Sequence, residues 1–104
     1  MTQLLNSAEE FDQLITGGGL VVVDFFAEWC GPCKQLSPIM DELSSEASGA
    51  TIAKVDVEKQ GELAQKYNVS SIPTVIFFKG GQVVEQFVGL KSKEDIVELI
   101  QKHA

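Results

Sequence analysis

The most apolar stretch of the chain runs from residue 20 to residue 27, and its hydrophobic residues follow one another with almost no polar alternation. Branched and aromatic side chains in such a run are typical of a strand buried on both faces of a parallel sheet. Asp24 is the one charged residue inside the run. We therefore predict a central strand there, in which an ionised, unpaired carboxylate would be costly to bury.

Two longer helices are predicted, one before and one after this strand in the sequence. The first begins at a Ser7-x-x-Glu10 capping box and ends at the three glycines of residues 17–19. The second covers about fifteen residues after position 33, with apolar residues every three or four positions and an end at Ser48-Gly49. Pro38 lies inside this second helix, where the missing backbone donor predicts a kink.

The remaining elements are shorter. A third helix is predicted over residues 60–67, and a fourth begins at residues 92–95. Further strands are predicted at residues 2–5, 51–57, 74–78 and 83–88, and a tight turn joins the last two into an antiparallel hairpin. The order β1α1β2α2β3α3β4β5α4 predicts an α/β fold, with a central mixed sheet and helices on both faces. The helix between the second and third strands makes that pair parallel, with a right-handed crossover.

Length and composition agree with one globular domain over residues 1–104. Hydrophobic residues make up 44% of the chain and charged residues 22%, as in ordinary globular proteins, and no apolar run reaches the ~20 residues of a membrane-spanning helix. We expect Phe11, Phe25, Phe77, Phe78 and Leu99 in the core, and a solvated His103 at the end of the last helix.

The net charge restricts the possible partners. The formal net charge of −7 argues against a nucleic acid or an anionic membrane as partner.

The N-terminal residues bear on the compartment. They lack the basic start and long apolar stretch of a secretory signal, so we expect a cytoplasmic protein. In that reducing compartment a pair of nearby cysteines is catalytic or metal-binding more often than structural.

Both cysteines lie in the segment Trp29-Cys30-Gly31-Pro32-Cys33-Lys34. Two thiols at this spacing can clip a loop, hold half of a zinc site, or cycle between dithiol and disulfide. A clip of four residues is worth only about 1.9 kcal/mol by the chain-entropy formula, against about 3 kcal/mol for fifteen residues. A structural zinc site needs four ligands, and beyond the two cysteines the chain offers only His103. The redox interpretation is favoured.

The position of this segment, between the central strand and the second helix, fits redox chemistry. Pro32 suits the first turn of a helix, because its missing N–H would be unpaired there. Cys30 is then the cap residue, where free backbone donors and the helix dipole favour a thiolate. Cys33 falls one turn further on the same face. We expect Cys30 to be exposed and Cys33 to be shielded.

The segment 29–34 resembles the active-site motif of the thioredoxin family. The similarity extends over essentially the whole chain, through Val22-Asp24-Phe25, Pro38, Lys54-Val55-Asp56, Tyr67, Ile72-Pro73-Thr74 and Val88-Gly89. The resemblance implies a thioredoxin fold and a protein-disulfide reductase that keeps no cofactor or metal. Its implied partners are disulfide-containing proteins and a thioredoxin reductase, and we expect a monomer.

The resemblance also implies roles for individual residues. Cys30 attacks a substrate disulfide, and Cys33 then resolves the mixed disulfide. Asp24, with a raised pKa, takes the proton of Cys33 directly or through a water; the alternative is a partly exposed carboxylate paired with a lysine. The position of Lys54, in the middle of the next parallel strand, makes it the expected charge partner of Asp24, and a solvated lysine is the alternative.

A substrate-docking surface is implied around Cys30. The Ile72–Pro73 peptide bond is expected to be cis, with the backbone of Ile72 pairing with an extended substrate. The surface would comprise Trp29, Gly31, Pro32, Ile72, Pro73, Val88 and Gly89, although Val88 is also compatible with a core position. Phe26 and Leu90 depart from the commonest family pattern, at positions that affect partner choice or optical readout rather than redox chemistry.

Two rival functions stay open. One is an oxidase or isomerase of the same fold, although Gly31-Pro32 between the cysteines favours a reductase. The other is a binding subunit that uses the fold to grip a partner, with the cysteines incidental.

Overall fold

The computed structural model describes residues 2–46 and 49–104, and within these ranges five strands form one mixed sheet. Its spatial order is β1-β3-β2-β4-β5. β2 lies at the centre, parallel to β3 and antiparallel to β4. The strands are β1 Gln3–Leu4, β2 Leu20–Phe26, β3 Ala50–Asp56, β4 Thr74–Lys79 and β5 Gln82–Val88. The predicted mixed sheet with β2 at its centre is confirmed.

Four helices alternate with these strands in the predicted order. They are α1 Ala8–Thr16, α2 Gly31–Ser45, α3 Gly61–Lys66 and α4 Lys93–His103. α1 has the predicted cap, since the hydroxyl of Ser7 accepts from the backbone N–H of Glu10 at 3.1 Å. α2 ends before the predicted Ser48-Gly49, of which Ser48 lies outside the described residues. The backbone turns to an extended conformation at Glu46, whose N–H donates to the carbonyls of the preceding turn.

Two large hydrophobic clusters, one on each side of the sheet, form most of the core of the described ranges, and a third, small cluster contains Ala27, Cys30 and Cys33. Alternate residues of β2 point into the two large clusters, with Val21, Val23 and Phe25 in one cluster and Leu20 and Val22 in the other. The first cluster includes residues of α1 and α3, and the second includes residues of α2 and α4. Asp24 follows Val22 by two residues, so its side chain lies on the α2 side of the sheet.

The predicted core positions are confirmed with one exception. Phe11, Phe25, Phe77 and Phe78 are fully buried. Leu99 is half-buried, and it packs against the edge of the second cluster instead of lying inside it. The stripe of α4 that reaches the centre of that cluster is formed by Ile96 and Ile100.

The prediction that His103 is solvated is wrong. Its side chain is only 18% exposed, and its Nε2 lies 3.0 Å from Oε1 of Glu85 on β5. The Nζ of Lys79 also donates to the His103 carbonyl at 2.9 Å. These contacts join the last turn of α4 to the β4–β5 hairpin. They connect residues that are distant in sequence and meet only in the folded protein.

Candidate functional site

The segment that carries the two cysteines forms the start of α2. Cys30 is the N-cap residue, and its Sγ accepts from the backbone N–H of Cys33 at 3.2 Å. Pro32 lies in the first turn, where no helical donor is lost. The two cysteines are joined by a disulfide. The predicted cap position of Cys30 is therefore confirmed, with a backbone donor directed at its sulfur.

The predicted contrast in exposure between the cysteines is wrong. Cys30 is 5% exposed and Cys33 is 3% exposed. Cys30 is buried in a small cluster with Ala27 and Cys33, against which Ile72, a residue far along the chain, packs. The Sγ of Cys30 lies 3.8 Å from the carbonyl oxygen of Ile72. The two cysteines differ in their neighbours instead, since Cys33 faces a cavity that also contains Asp24.

Asp24 is buried on the α2 side of the sheet, with 3% of its surface exposed. Its Oδ1 has no hydrogen-bond partner within the described ranges. Burial raises the pKa of Asp24 from its ordinary value of 3.8 to about 7, and the charge of Lys54 lowers it in part. The alternative of a partly exposed carboxylate paired with a lysine is wrong, and burial favours the protonated form of this carboxyl.

Lys54 lies opposite Asp24 in the register of the parallel strands β2 and β3. Its Nζ lies 5.4 Å from the centre of the Phe26 ring, a cation–π distance, and the residue is half-buried. The ammonium group therefore acts on Asp24 through space, and the alternative of a fully solvated lysine does not describe this position.

A cavity of about 320 Å³ connects Asp24 with Cys33. It is lined by Leu4, Asp24, Phe26, Ala27, Glu28, Cys33, Lys34, Ser37 and Lys54. Sequence reasoning missed the contributions of Glu28, Lys34 and Ser37. For Ser37 a signal was present, because a residue four positions after Cys33 lies on the same face of a helix.

The segment at Pro73 lies beside the cysteines. The Ile72–Pro73 peptide bond is cis, in agreement with the resemblance, and Pro73 is buried at the start of β4. The backbone N–H of Gly89 donates to the Pro73 carbonyl at 2.8 Å. Gly89 has a φ of +93°, which favours glycine there. The fold thus brings Cys30, Ile72 and Gly89 together from three separate segments.

Several apolar residues around Cys30 are exposed. Trp29 is 67% exposed and Val88 58%, so the alternative of a core position for Val88 is wrong. Gly31 and Pro32 are exposed as well, and Ile72 is half-buried. We call Trp29, Gly31, Pro32, Ile72, Val88 and Gly89 the apolar rim. Leu90, which departs from the common family pattern, follows Gly89 and is also exposed.

Within residues 2–46 and 49–104, no group of three or more His, Cys, Asp or Glu side chains could hold a metal ion. No helix in the described part of the chain is long and apolar enough to cross a membrane.

Comparisons with known proteins agree with this geometry. The family model described as Thioredoxin matches residues 2–102. A thioredoxin of Chlamydia pneumoniae is 52% identical over 98 residues, which are 94% of this chain and 95% of that protein. A thioredoxin of Staphylococcus aureus is 45% identical over 95 residues, 90% of each chain.

Solved structures are similar over nearly the whole chain. A mutant thioredoxin from Halobacterium salinarum NRC-1 superposes with a TM-score of 0.93 at 33% identity, over 98% of this chain and 89% of that one. Plasmodium falciparum thioredoxin gives a TM-score of 0.90 at 39% identity, over 99% of this chain and 100% of that one.

Proposed function

Because the chain belongs to the thioredoxin family, we propose that Cys30 and Cys33 reduce disulfides of other proteins through a mixed-disulfide intermediate. The family consists of oxidoreductases with a redox-active dithiol, and this chain holds its own dithiol as a disulfide at the start of α2. The cavity supports this assignment of roles, because its lining includes Asp24, a buried carboxyl of raised pKa, and Cys33 but not Cys30.

Cys30 is the attacking residue. In the disulfide form the backbone N–H of Cys33 donates to Sγ of Cys30. The same donor and the positive end of the α2 dipole would stabilise the Cys30 thiolate in the reduced protein. The thiolate attacks one sulfur of the substrate disulfide. A bond forms between Cys30 and the substrate, the substrate S–S bond breaks, and the second substrate sulfur leaves as a thiolate that takes a proton from water.

Cys33 is the resolving residue. Its thiol gives a proton to the Asp24 carboxylate, and the resulting thiolate attacks Sγ of Cys30. The Cys30–Cys33 bond forms, the Cys30–substrate bond breaks, and the substrate leaves with two electrons more than it brought. A pKa of about 7 suits this exchange, since Asp24 can accept a proton and return it near neutral pH. Lys54 tunes this pKa by its charge.

The apolar rim is the docking surface for the substrate. An extended substrate segment would pair with the backbone of Ile72, next to Pro73, while Trp29 and Val88 offer apolar contacts. The partners are disulfide-containing proteins and a thioredoxin reductase that restores the dithiol. The chain acts as a monomeric single domain over residues 1–104, in the cytoplasm, as an electron carrier.

Insulin reduction by dithiothreitol tests the proposed function. The wild-type protein should accelerate precipitation of the insulin B chain, and a Cys30→Ser/Cys33→Ser double variant should not. Absence of acceleration by the wild type would exclude the reductase. Full complementation of a deletion strain by the double variant would instead support a binding subunit. A reduction potential close to about −120 mV, rather than about −270 mV, would support an oxidase.

A further inference from the structure

Ser37 is a neutral polar residue in the lining of the cavity between Asp24 and Cys33. It follows Cys33 by four residues on α2, so the two side chains lie on the same face of the helix. The charged and titratable groups around this cavity are Asp24, Glu28, Cys33, Lys34 and Lys54. The other lining residues, Leu4, Phe26 and Ala27, are apolar and cannot bind water through their side chains.

The hydroxyl of Ser37 has no hydrogen-bond partner among residues 2–46 and 49–104, although the residue is half-buried. A serine inside a helix commonly donates to a carbonyl one turn earlier. Ser45 on the same helix does so, with its Oγ donating to the Glu42 carbonyl at 3.0 Å. The hydroxyl of Ser37 is therefore available to the contents of the cavity.

Asp24 presents a second unsatisfied group to this space. Its Oδ1 is buried and has no partner within the described ranges. A buried carboxyl oxygen in that condition is normally satisfied by a water. The cavity of about 320 Å³ is large enough, since one water occupies about 30 Å³ in the liquid.

We propose that Ser37 is a positioning residue, whose hydroxyl holds the water through which the Cys33 proton reaches Asp24. The inference rests on the proposed function and deepens its resolving step. A hydroxyl can donate to and accept from the same water, whereas the lysines at this cavity can only donate. Ser37 thus orients the water with one hydrogen toward the Asp24 carboxylate and a lone pair toward the Cys33 thiol.

The proton balance is simple. The Cys33 thiol gives its proton to the water as the water gives one of its own to the Asp24 carboxylate. The water is regenerated, and the Cys33 thiolate then forms its bond with Sγ of Cys30. The Ser37 hydroxyl keeps its own proton and changes only the position of the water.

The test compares Ser37→Ala, Ser37→Thr and a matched control, Ser45→Ala, which removes a hydroxyl from the same helix outside the cavity. Each reduced protein is mixed with a disulfide-containing peptide. Formation and resolution of the mixed disulfide are followed between pH 5 and pH 9 by acid quenching and mass spectrometry. Alkylation of Cys30 by iodoacetamide reports separately on the attacking thiolate.

Ser37→Ala should resolve the mixed disulfide about 3- to 10-fold more slowly near pH 7. This loss is a part of the roughly 10²- to 10⁴-fold rate acceleration that general acid–base catalysis provides. The deficit should shrink toward pH 9, where Cys33 loses its proton to solvent without the relay. Ser37→Thr should restore the rate to within about twofold, because it keeps the hydroxyl. Ser45→Ala and the alkylation of Cys30 should be unchanged.

Equal rates of mixed-disulfide resolution for Ser37→Ala and wild type at every pH would overturn the role of Ser37 but not the proposed function. A Ser37→Thr variant as slow as Ser37→Ala would do the same. A wild-type protein that forms no mixed disulfide would overturn the proposed function and this inference with it. Misfolding of Ser37→Ala can be recognised separately, because an unchanged rate of Cys30 alkylation reports an intact start of α2. Alanine also has a high helix propensity, so the substitution favours the helix at this position.

Discussion

Asp24 and Lys54 lie directly opposite each other on β2 and β3, yet the two side chains form no ion pair. The Lys54 ammonium lies over the Phe26 ring instead. Its charge lowers the pKa of Asp24, but burial raises that pKa by more, to about 7. Under the proposed function, this arrangement would let the carboxyl exchange a proton with Cys33, whereas a direct ion pair would hold it ionised.

Lys54→Met should raise the pKa of Asp24 above about 7, because it removes the one charge that lowers it. The pH dependence of mixed-disulfide resolution should move upward with it. The Asp24 carboxyl carbon can be titrated directly by NMR in both proteins. Lys34→Met is the matched control, since Lys34 lines the same cavity but is not among the causes of the Asp24 shift. Equal Asp24 titrations in wild type and Lys54→Met would refute this account.

The stability of oxidised Asp24→Asn, measured relative to oxidised wild type, should be higher at pH 8 than at pH 4. Folding raises the pKa of Asp24 from 3.8 to about 7. In the wild type the protonated carboxyl therefore contributes fully to stability below pH 3.8, and this contribution is lost as pH rises through about 7. A tenfold change in an ionisation constant is worth about 1.4 kcal/mol, so the relative gain by pH 8 is at most about 4 kcal/mol.

Urea unfolding at several pH values measures this difference. The asparagine also buries a polar group, but that cost does not depend on pH, so the slope of the difference is the diagnostic quantity. Asp12→Asn, at an exposed position of α1, serves as control. A wild-type minus Asp24→Asn difference that is constant between pH 4 and pH 8 would show that Asp24 titrates normally.

Cys33→Ser should accumulate a covalent adduct with a disulfide-containing protein, because the first attack proceeds and the resolving thiol is absent. Mass spectrometry of the digested adduct should place the bond at Cys30. Cys30→Ser should give far less adduct under the same conditions. An adduct that forms mainly through Cys33 would reverse the assigned roles, and the same trap used in a cell extract would identify physiological targets.

Val88→Asp should raise KM for a protein disulfide while leaving kcat and the reduction of a small disulfide nearly unchanged. The reason is that Val88 contributes exposed apolar surface to the rim without touching the sulfur chemistry. Val83→Asp places the same charge at another exposed valine of β5, near the opposite end of the strand. If both variants changed KM equally, overall charge and not docking at the rim would explain the effect.

Local patterns predicted much of this fold because they depend on neighbouring residues. The uninterrupted apolar run predicted β2, the Ser7-x-x-Glu10 spacing predicted the start of α1, and the motif predicted Cys30 as the cap of α2. The errors concern contacts between distant segments. The burial of Cys30 depends on Ile72, and the position of His103 depends on Glu85. Neither proximity is encoded in local spacing, since each exists only after the sheet has formed.

The sequence pointed to Asp24, Lys54 and Pro73 as candidate site residues, and their roles stay predictions. The cavity that joins Asp24 to Cys33 became visible only in three dimensions. Ser37 belongs to that cavity through helix geometry. Its role depends on an unsatisfied oxygen of Asp24, a residue of another element.

The disulfide spans only three positions in sequence and lies within the first turn of α2. Closing so short a loop is worth about 1.9 kcal/mol, against about 3 kcal/mol for fifteen residues, so the fold depends on this bond less than it would on a disulfide between distant segments. Under the proposed function, each cycle of oxidation and reduction would change covalent bonds only at the start of α2. The two hydrophobic clusters that flank the sheet contain neither cysteine, so the bond can form and break outside them.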